Sequence, residues 1–191
     1  MIQQLKAWDE QLLLFLNHYH ADWLDPVVFL ITRTEFWIPL YLLLLFVTFR
    51  HYRKEGWLVL IGVAVAILLA DRITSGLMKP LFLRLRPSHE PALEGLLHLV
   101  NDYRGGAYGF ASSHAANTMG VAFFFYMLFR NVTRWISMMF IWAIIMSYTR
   151  IYLGVHYPGD ILIGALVGIL SGYAGFKVFR ALQSRLHKDS V

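Results

Sequence analysis

The run "GWLVLIGVAVAILLADRITSGLM", Gly56 to Met78, holds two charged residues in 23. At 1.5 Å per residue it is long enough to cross the roughly 30 Å hydrocarbon core of a bilayer. No water is available there to bond the backbone, so a run of this length has to be a helix. Four further stretches follow the same rule: Pro26 to Phe49, His114 to Phe129, Trp135 to Leu153 and Asp160 to Phe179. Arg33, Thr34 and Glu35 interrupt the first of them, and a bend is expected near Pro39. "GALVG", Gly164 to Gly168, has the small-xxx-small spacing that lets helices approach closely. The expected fold class is all-α: a single-domain (1–191) integral membrane bundle of about five transmembrane helices, with six as the alternative.

Composition agrees. Hydrophobic residues make up 58% of the chain and charged residues 15%, against about 25% charged in soluble proteins. With no cysteine, disulfides, zinc–thiolate centres and thiol nucleophiles are excluded. The N-terminus lacks the basic region of a signal peptide. Instead Leu5, Trp8, Leu12, Phe15 and Leu16 share one helical face, so residues 1–25 are read as an amphipathic interfacial helix with Trp8 and Trp23 at headgroup level.

The net charge of +5 raises nucleic acid as a partner, but the basic residues flank the apolar spans and do not form one patch. Arg50, Arg53 and Lys54 follow the first span, and Arg130 and Arg134 follow the third. Lys177, Arg180, Arg185 and Lys188 lie at the end of the chain. Five spans put all nine on one side, which the positive-inside rule makes cytoplasmic. The polar segment Lys79–Phe110 and the turn around His156 then meet on the opposite, periplasmic or outer side of an inner membrane. Oligomeric state is left open.

Three clusters fall on that side. In "KPLFLRLRP", Lys79 and Arg86 are seven residues apart and share a helical face, with Arg84 on another. "YGFASSHAANT" is a Gly-rich approach to Ser112, Ser113 and His114 at a helix start, where free backbone N–H groups favour an anion. "TRIYLGVHYPGD" carries Arg150, His156 and Asp160. Taken singly, each has an ordinary structural use: snorkelling cations, N-caps, an interfacial histidine. Together they supply an anion cradle, a histidine within reach of a carboxylate and a second histidine, which describes phosphoryl transfer through a phosphohistidine. Metal-dependent hydrolysis fits less well, because a binuclear site needs several carboxylates. Asp71 and Arg72, inside the second span, are read as a structural pair near the site.

These motifs resemble those of the type 2 phosphatidic acid phosphatases, membrane relatives of the vanadium haloperoxidases. That family shows K-x6-R-P, P-S-G-H and S-R-x5-H-x3-D. Here the first is intact from Lys79 to Arg86–Pro87; the second reads "ASSH", with Ala111 for Pro and Ser113 for Gly; the third has Thr149 for Ser. The motif-bearing region is 79–160. The resemblance implies that His156 is the nucleophile, Asp160 orients it and His114 is the general acid. It also implies that Lys79, Arg86, Arg150, Ser112 and the Ser113 N–H hold the phosphate. Arg84 and Arg104 are candidates for a second phosphate.

The expected activity is metal-independent, cofactor-free hydrolysis of a membrane lipid phosphate or diphosphate. Undecaprenyl diphosphate and phosphatidylglycerophosphate are favoured over phosphatidic acid and a lipid A phosphate. Transfer to an acceptor lipid, or a non-catalytic lipid-phosphate binder or transporter, are the alternatives.

Overall fold

A computed structural model describes residues 1–188; the last three residues of the expected 1–191 unit lie outside the described ones. It contains eight α-helices joined by turns and short 3-10 segments, with α1 Ile2–His18 and α2 Asp25–Ile31 leading the chain. α3 Ile38–Tyr52 and α4 Gly56–Asp71 come next; α4 runs through a π-helical stretch, Arg72–Met78, into α5 Lys79–Phe82. α6 Ser113–Phe129, α7 Met138–Tyr152 and α8 Pro158–Lys188 complete the bundle.

Among the described residues, three helical runs are long and apolar enough to cross a membrane: Thr34–Phe82, Arg134–Tyr152 and Pro158–Lys188. The first doubles back at Arg53, whose φ of 49° breaks the helix. Thr34 and Ile67 therefore line the same slot despite their separation in sequence. The expected bend at Pro39 lies elsewhere. α2 ends at Ile31, Arg33 is extended (φ −80°, ψ 139°), and Pro39 sits in the first turn of α3, where its missing N–H costs nothing.

α6 is the central helix, packed by α4, α7 and α8. Its closest neighbour is α8, and the expected small-residue contact is there and extends further along the helix. Gly164, Gly168 and Gly172 of α8 face the backbone of Ser112, Ala116 and Gly120, while Gly175 meets Gly62 of α4. A Cβ at any of these would collide with backbone, so the helices could not close. Phe124, Phe125, Phe129 and Phe179 fill the space beyond with Leu58 and Val59. At that end Gln183 donates to Glu55 at 2.8 Å, so the α3–α4 turn and the end of α8 are neighbours.

α1 lies across the other end. Leu13 and Asn17 are buried, while Leu5, Trp8, Leu12 and Phe15 face outward, as an interfacial helix requires. The Asn17 amide holds the end of α7, donating to the carbonyls of Ile151 and Tyr152 at 3.1 and 2.8 Å. Asp71 and Arg72 make no ion pair with each other among the described residues, because consecutive helical positions do not face one another. Asp71 instead accepts a hydrogen bond from Ser75 at 3.0 Å.

Candidate active site

The end opposite Glu55 gathers the polar residues. Leu83, at φ 48°, stops α5, and the chain becomes extended. Leu85 forms an antiparallel bridge with Tyr108, flanked by Arg86 N–H to the Ala107 carbonyl and Gly109 N–H to the Arg84 carbonyl, both 2.9 Å. This pairing pins Arg86, and its Nε donates to the Tyr108 carbonyl at 3.2 Å. It also lays the backbone of Gly109 over the site. A Cβ there would be 3.0 Å from Asp160 Oδ2 and 3.5 Å from His156 Nδ1.

His156 lies between α7 and α8, 2% exposed. Its Nδ1 is 3.3 Å from Asp160 Oδ2, which also accepts the Tyr157 N–H at 3.1 Å. A carboxylate at Nδ1 fixes the proton there and leaves the Nε2 lone pair free. Burial, then the positive charges of Arg86, Arg150 and Lys79, holds His156 well below the usual imidazole range, so it is neutral at pH 7. The other Asp160 oxygen accepts from Arg84 Nη1 at 3.0 Å.

Arg150 projects from the last turn of α7. Nη1 donates to Thr32 at 3.0 Å and Nη2 to the Tyr103 hydroxyl at 3.2 Å. Thr149, in place of the family serine, keeps the hydroxyl and exchanges a 2.9 Å hydrogen bond with Thr32. Ser112 caps α6, accepting from the Ala115 N–H at 3.4 Å, and its own N–H donates to the Asp160 carbonyl at 2.9 Å. The two helix starts that carry His114 and Asp160 are thus tied together. Ser113, in place of the family glycine, accepts from Lys79 Nζ at 2.8 Å and bonds the hydroxyls of Ser75 and Thr74 at 2.7 and 3.0 Å.

Three nitrogens here are buried without a partner among the described residues: Arg86 Nη1, Arg150 Nε and His114 Nε2. An unpaired buried donor costs about 1–3 kcal/mol, more when charged. Like charges aggravate this: burial, then the Arg150 charge, lowers the pKa of Arg86 below the usual arginine value. Groups of this kind call for an anion with several acceptor oxygens.

The structure therefore brings together Lys79, Arg86, Ser112, Ser113, His114, Arg150, His156 and Asp160. Arg84 is present in a different capacity. Nη2 donates to Asp9 at 2.8 Å, and its guanidinium lies 3.8 Å from the Tyr157 ring centroid, so it is committed to two carboxylates. Arg104 is turned aside, 3.1 Å from Asp102 and bonded to the Ser88 carbonyl. Sequence reasoning missed Asp9, Thr32, Tyr103 and Gly109. Only Gly109 left a trace, in the glycine-rich approach to Ser112; Asp9 reaches the site across 150 positions, accepting from the Gly159 N–H at 2.7 Å.

A neutral buried imidazole on a carboxylate, beside unpaired cationic donors at one end of an apolar helical bundle, has the chemistry to receive a phosphate group at a membrane. Residues 55–184 match the family model described as the PAP2 superfamily, and the chain belongs to that family. It is 38% identical, over its whole length and 85% of the relative's, to a lipid A 4'-phosphatase of Bacteroides thetaiotaomicron. A lipid A 4'-phosphatase of Porphyromonas gingivalis is 35% identical over 93% of this chain and 75% of its own. An undecaprenyl-diphosphatase of Sulfolobus acidocaldarius is 31% identical over 71% and 60%. The fold matches the crystal structure of Aquifex aeolicus LpxE, with a TM-score of 0.63 at 22% identity, covering 87% of this chain and 93% of that one.

Proposed function

We propose that this phosphatase hydrolyses a lipid phosphate monoester, of the lipid A type, through a phosphohistidine formed on His156 and without a metal. His156 Nε2 attacks phosphorus while Asp160 holds the Nδ1 proton and stabilises the developing positive ring. His114, protonated when the phosphate anion enters between it and the cations, donates its Nε2 proton to the leaving oxygen as the P–O bond breaks and returns to the neutral ring. Lys79, Arg86, Arg150 and the Ser113 N–H hold the three non-bridging oxygens. The His114 nitrogen, now basic, takes a proton from water, whose oxygen attacks phosphorus and breaks the N–P bond. Inorganic phosphate leaves, and both histidines are restored.

The three unpaired nitrogens around the neutral His156 carry this reading. Arg84 is committed to Asp9 and Asp160, and Arg104 to Asp102 and the Ser88 carbonyl, so neither candidate for a second phosphate is free to take one, which favours a monoester over a diphosphate. The two lipid A 4'-phosphatases are also similar over more of the chain than the undecaprenyl-diphosphatase. The clustering of Glu55 and Gln183 at the far end, among the basic turns, supports a site on the outer face of the inner membrane. The test is phosphate release from lipid mono- and diphosphates by detergent-purified protein in EDTA, with no added acceptor. Turnover of monoesters that His156→Ala abolishes is expected. A requirement for metal, or survival of activity in the variant, overturns the mechanism.

A further inference from the structure

Arg150 presents both terminal nitrogens to hydroxyls, and the two hydroxyls differ in where their own protons go. Nη1 donates to Thr32, Thr32 donates to Thr149 at 2.9 Å, and Thr149 donates to the Met146 carbonyl at 2.7 Å. Every proton in that relay has an acceptor, and the relay ends on the backbone of α7. Nη2 donates to Tyr103 at 3.2 Å, which occupies a lone pair of the phenol oxygen. A phenol also has one O–H to give. Among the described residues, the Tyr103 proton has no acceptor.

The ring is held in place without help from the hydroxyl. Asn101 and Asp102 precede it with φ of 54° and 52°, the left-handed region that Asn and Asp tolerate best. On either side of Tyr103, Asp102 and Arg104 face outward and pair with each other at 3.1 Å, while Tyr103 itself is half-buried. Its ring meets Phe29 edge-on, with centroids 6.0 Å apart, and packs against the cluster of Val28, Val100 and Leu153.

Arg86 comes to the same loop. A Cβ at Gly105, whose φ is 67°, would collide with Arg86 Nη1, one of the buried nitrogens without a partner. Neither Arg86 nor Arg150 pairs with a carboxylate among the described residues. Burial alone would raise the pKa of Tyr103, but the Arg150 hydrogen bond and the charges of Arg150 and Arg86 bring it below the usual phenol value. Polarisation of this kind strengthens the hydrogen bond that a hydroxyl gives to an anion.

We propose that Tyr103 is a further substrate-contacting member of the phosphate cradle, its hydroxyl accepting from Arg150 and donating to a non-bridging oxygen of the transferring phosphoryl group. This rests on the phosphatase reading above and adds a neutral donor to its three cations. The proton stays on the tyrosine; the hydrogen bond tightens as charge builds on the equatorial oxygens.

The experiment uses the detergent-purified full chain and a soluble aryl phosphate. Tyr103→Phe keeps the packed ring and is expected to lower kcat/KM about 10- to 100-fold, as loss of one hydrogen bond to a charged group does. A loss of less than threefold overturns the proposal. Difluorotyrosine installed at position 103 separates donation to phosphate from acceptance of Arg150. Its more acidic phenol ionises near neutral pH, and a phenolate still accepts from Arg150 but has no proton to give. A kcat/KM that falls as pH rises through that ionisation, over a range where the wild type holds steady, is expected. Activity that persists in the ionised form makes the hydroxyl an anchor for Arg150 alone and overturns the proposal. Should the wild type turn over no substrate, inorganic phosphate binding to His156→Ala is measured by calorimetry, with and without Tyr103→Phe. Binding weakened about tenfold by the second change keeps Tyr103 as an anion donor while the phosphatase reading fails. Phosphate that binds equally to both, or to neither, removes the Tyr103 assignment as well.

Discussion

The ammonium of Lys79 donates to the hydroxyl of Ser113 at 2.8 Å, across a turn of π-helix on one side and the first turn of α6 on the other. The same hydroxyl also meets Ser75 and Thr74, so an oxygen the family pattern lacks anchors a cation of the proposed phosphate cradle. Ser113→Ala removes that anchor and leaves the backbone N–H in place. A rise in KM of about 5- to 10-fold is expected, for the loss of one charge-assisted hydrogen bond, with kcat changed less than threefold. Steady-state kinetics on a soluble aryl phosphate separate the two. A thousandfold fall in kcat would instead place the hydroxyl in the chemistry.

Asp160 fixes the tautomer of His156 and stabilises its charged form, so Asp160→Asn should act on kcat far more than on KM. The Asn side chain can present a donor to Nδ1, which favours the wrong tautomer. A loss on the order of 10³-fold in kcat is expected. Acid-quench trapping of ³²P on protein should show less phosphohistidine in the variant than in the wild type.

The depressed pKa of His156 has a consequence for the free enzyme. In the proposed mechanism the nucleophile is the neutral ring, and burial together with the charges of Arg86 and Arg150 disfavours protonation. The acid limb of kcat/KM due to this group therefore lies below the ordinary 6.5, and this imidazole keeps its attacking form as pH falls through 6.5. Arg86→Gln removes one of the charges and should move that limb to higher pH. A limb that stays in place or moves to lower pH counts against the assignment.

Gly109 allows backbone to pass over the His156–Asp160 pair. In Gly109→Ala the new methyl would press on Asp160 Oδ2 and, at 3.1 Å, on Arg86 Cγ. A 10- to 100-fold loss of kcat/KM is expected, because a small misplacement at a reacting centre costs up to about 10²-fold. A change in thermal midpoint of a few degrees at most would separate this local effect from unfolding.

Arg84 now reads as a strut for Asp160. Arg84→Ala should lower turnover of mono- and diphosphate substrates by the same factor. Asp9→Ala, which removes the far end of the strut and the acceptor for the Gly159 N–H, should reproduce part of the loss. A selective loss on diphosphates would restore Arg84 as a second-phosphate contact.

What the chain order alone determined here follows from local rules. Hydrocarbon admits only internally bonded backbone, so runs such as Gly56–Met78 had to be helices. The two histidines, the carboxylate and the cations could be proposed as one cluster from their spacing and motif likeness, because phosphate chemistry restricts the residue types that serve it, and the fold gathers them at one end of the bundle. The break after Ile31 was hidden behind Pro39, since a proline in a first turn and a proline at a kink look the same in sequence. Tertiary structure decided how the cations are used. Arg84 and Arg86 are two positions apart in an extended segment, yet one braces Asp160 and the other keeps an unpaired nitrogen in the cradle. Asp9, Thr32 and Tyr103 join the site from remote segments, and no local periodicity marks a side chain whose partner lies 47 to 150 residues away. The bundle's packing, through the glycine seam of α8 on α6, set these distances.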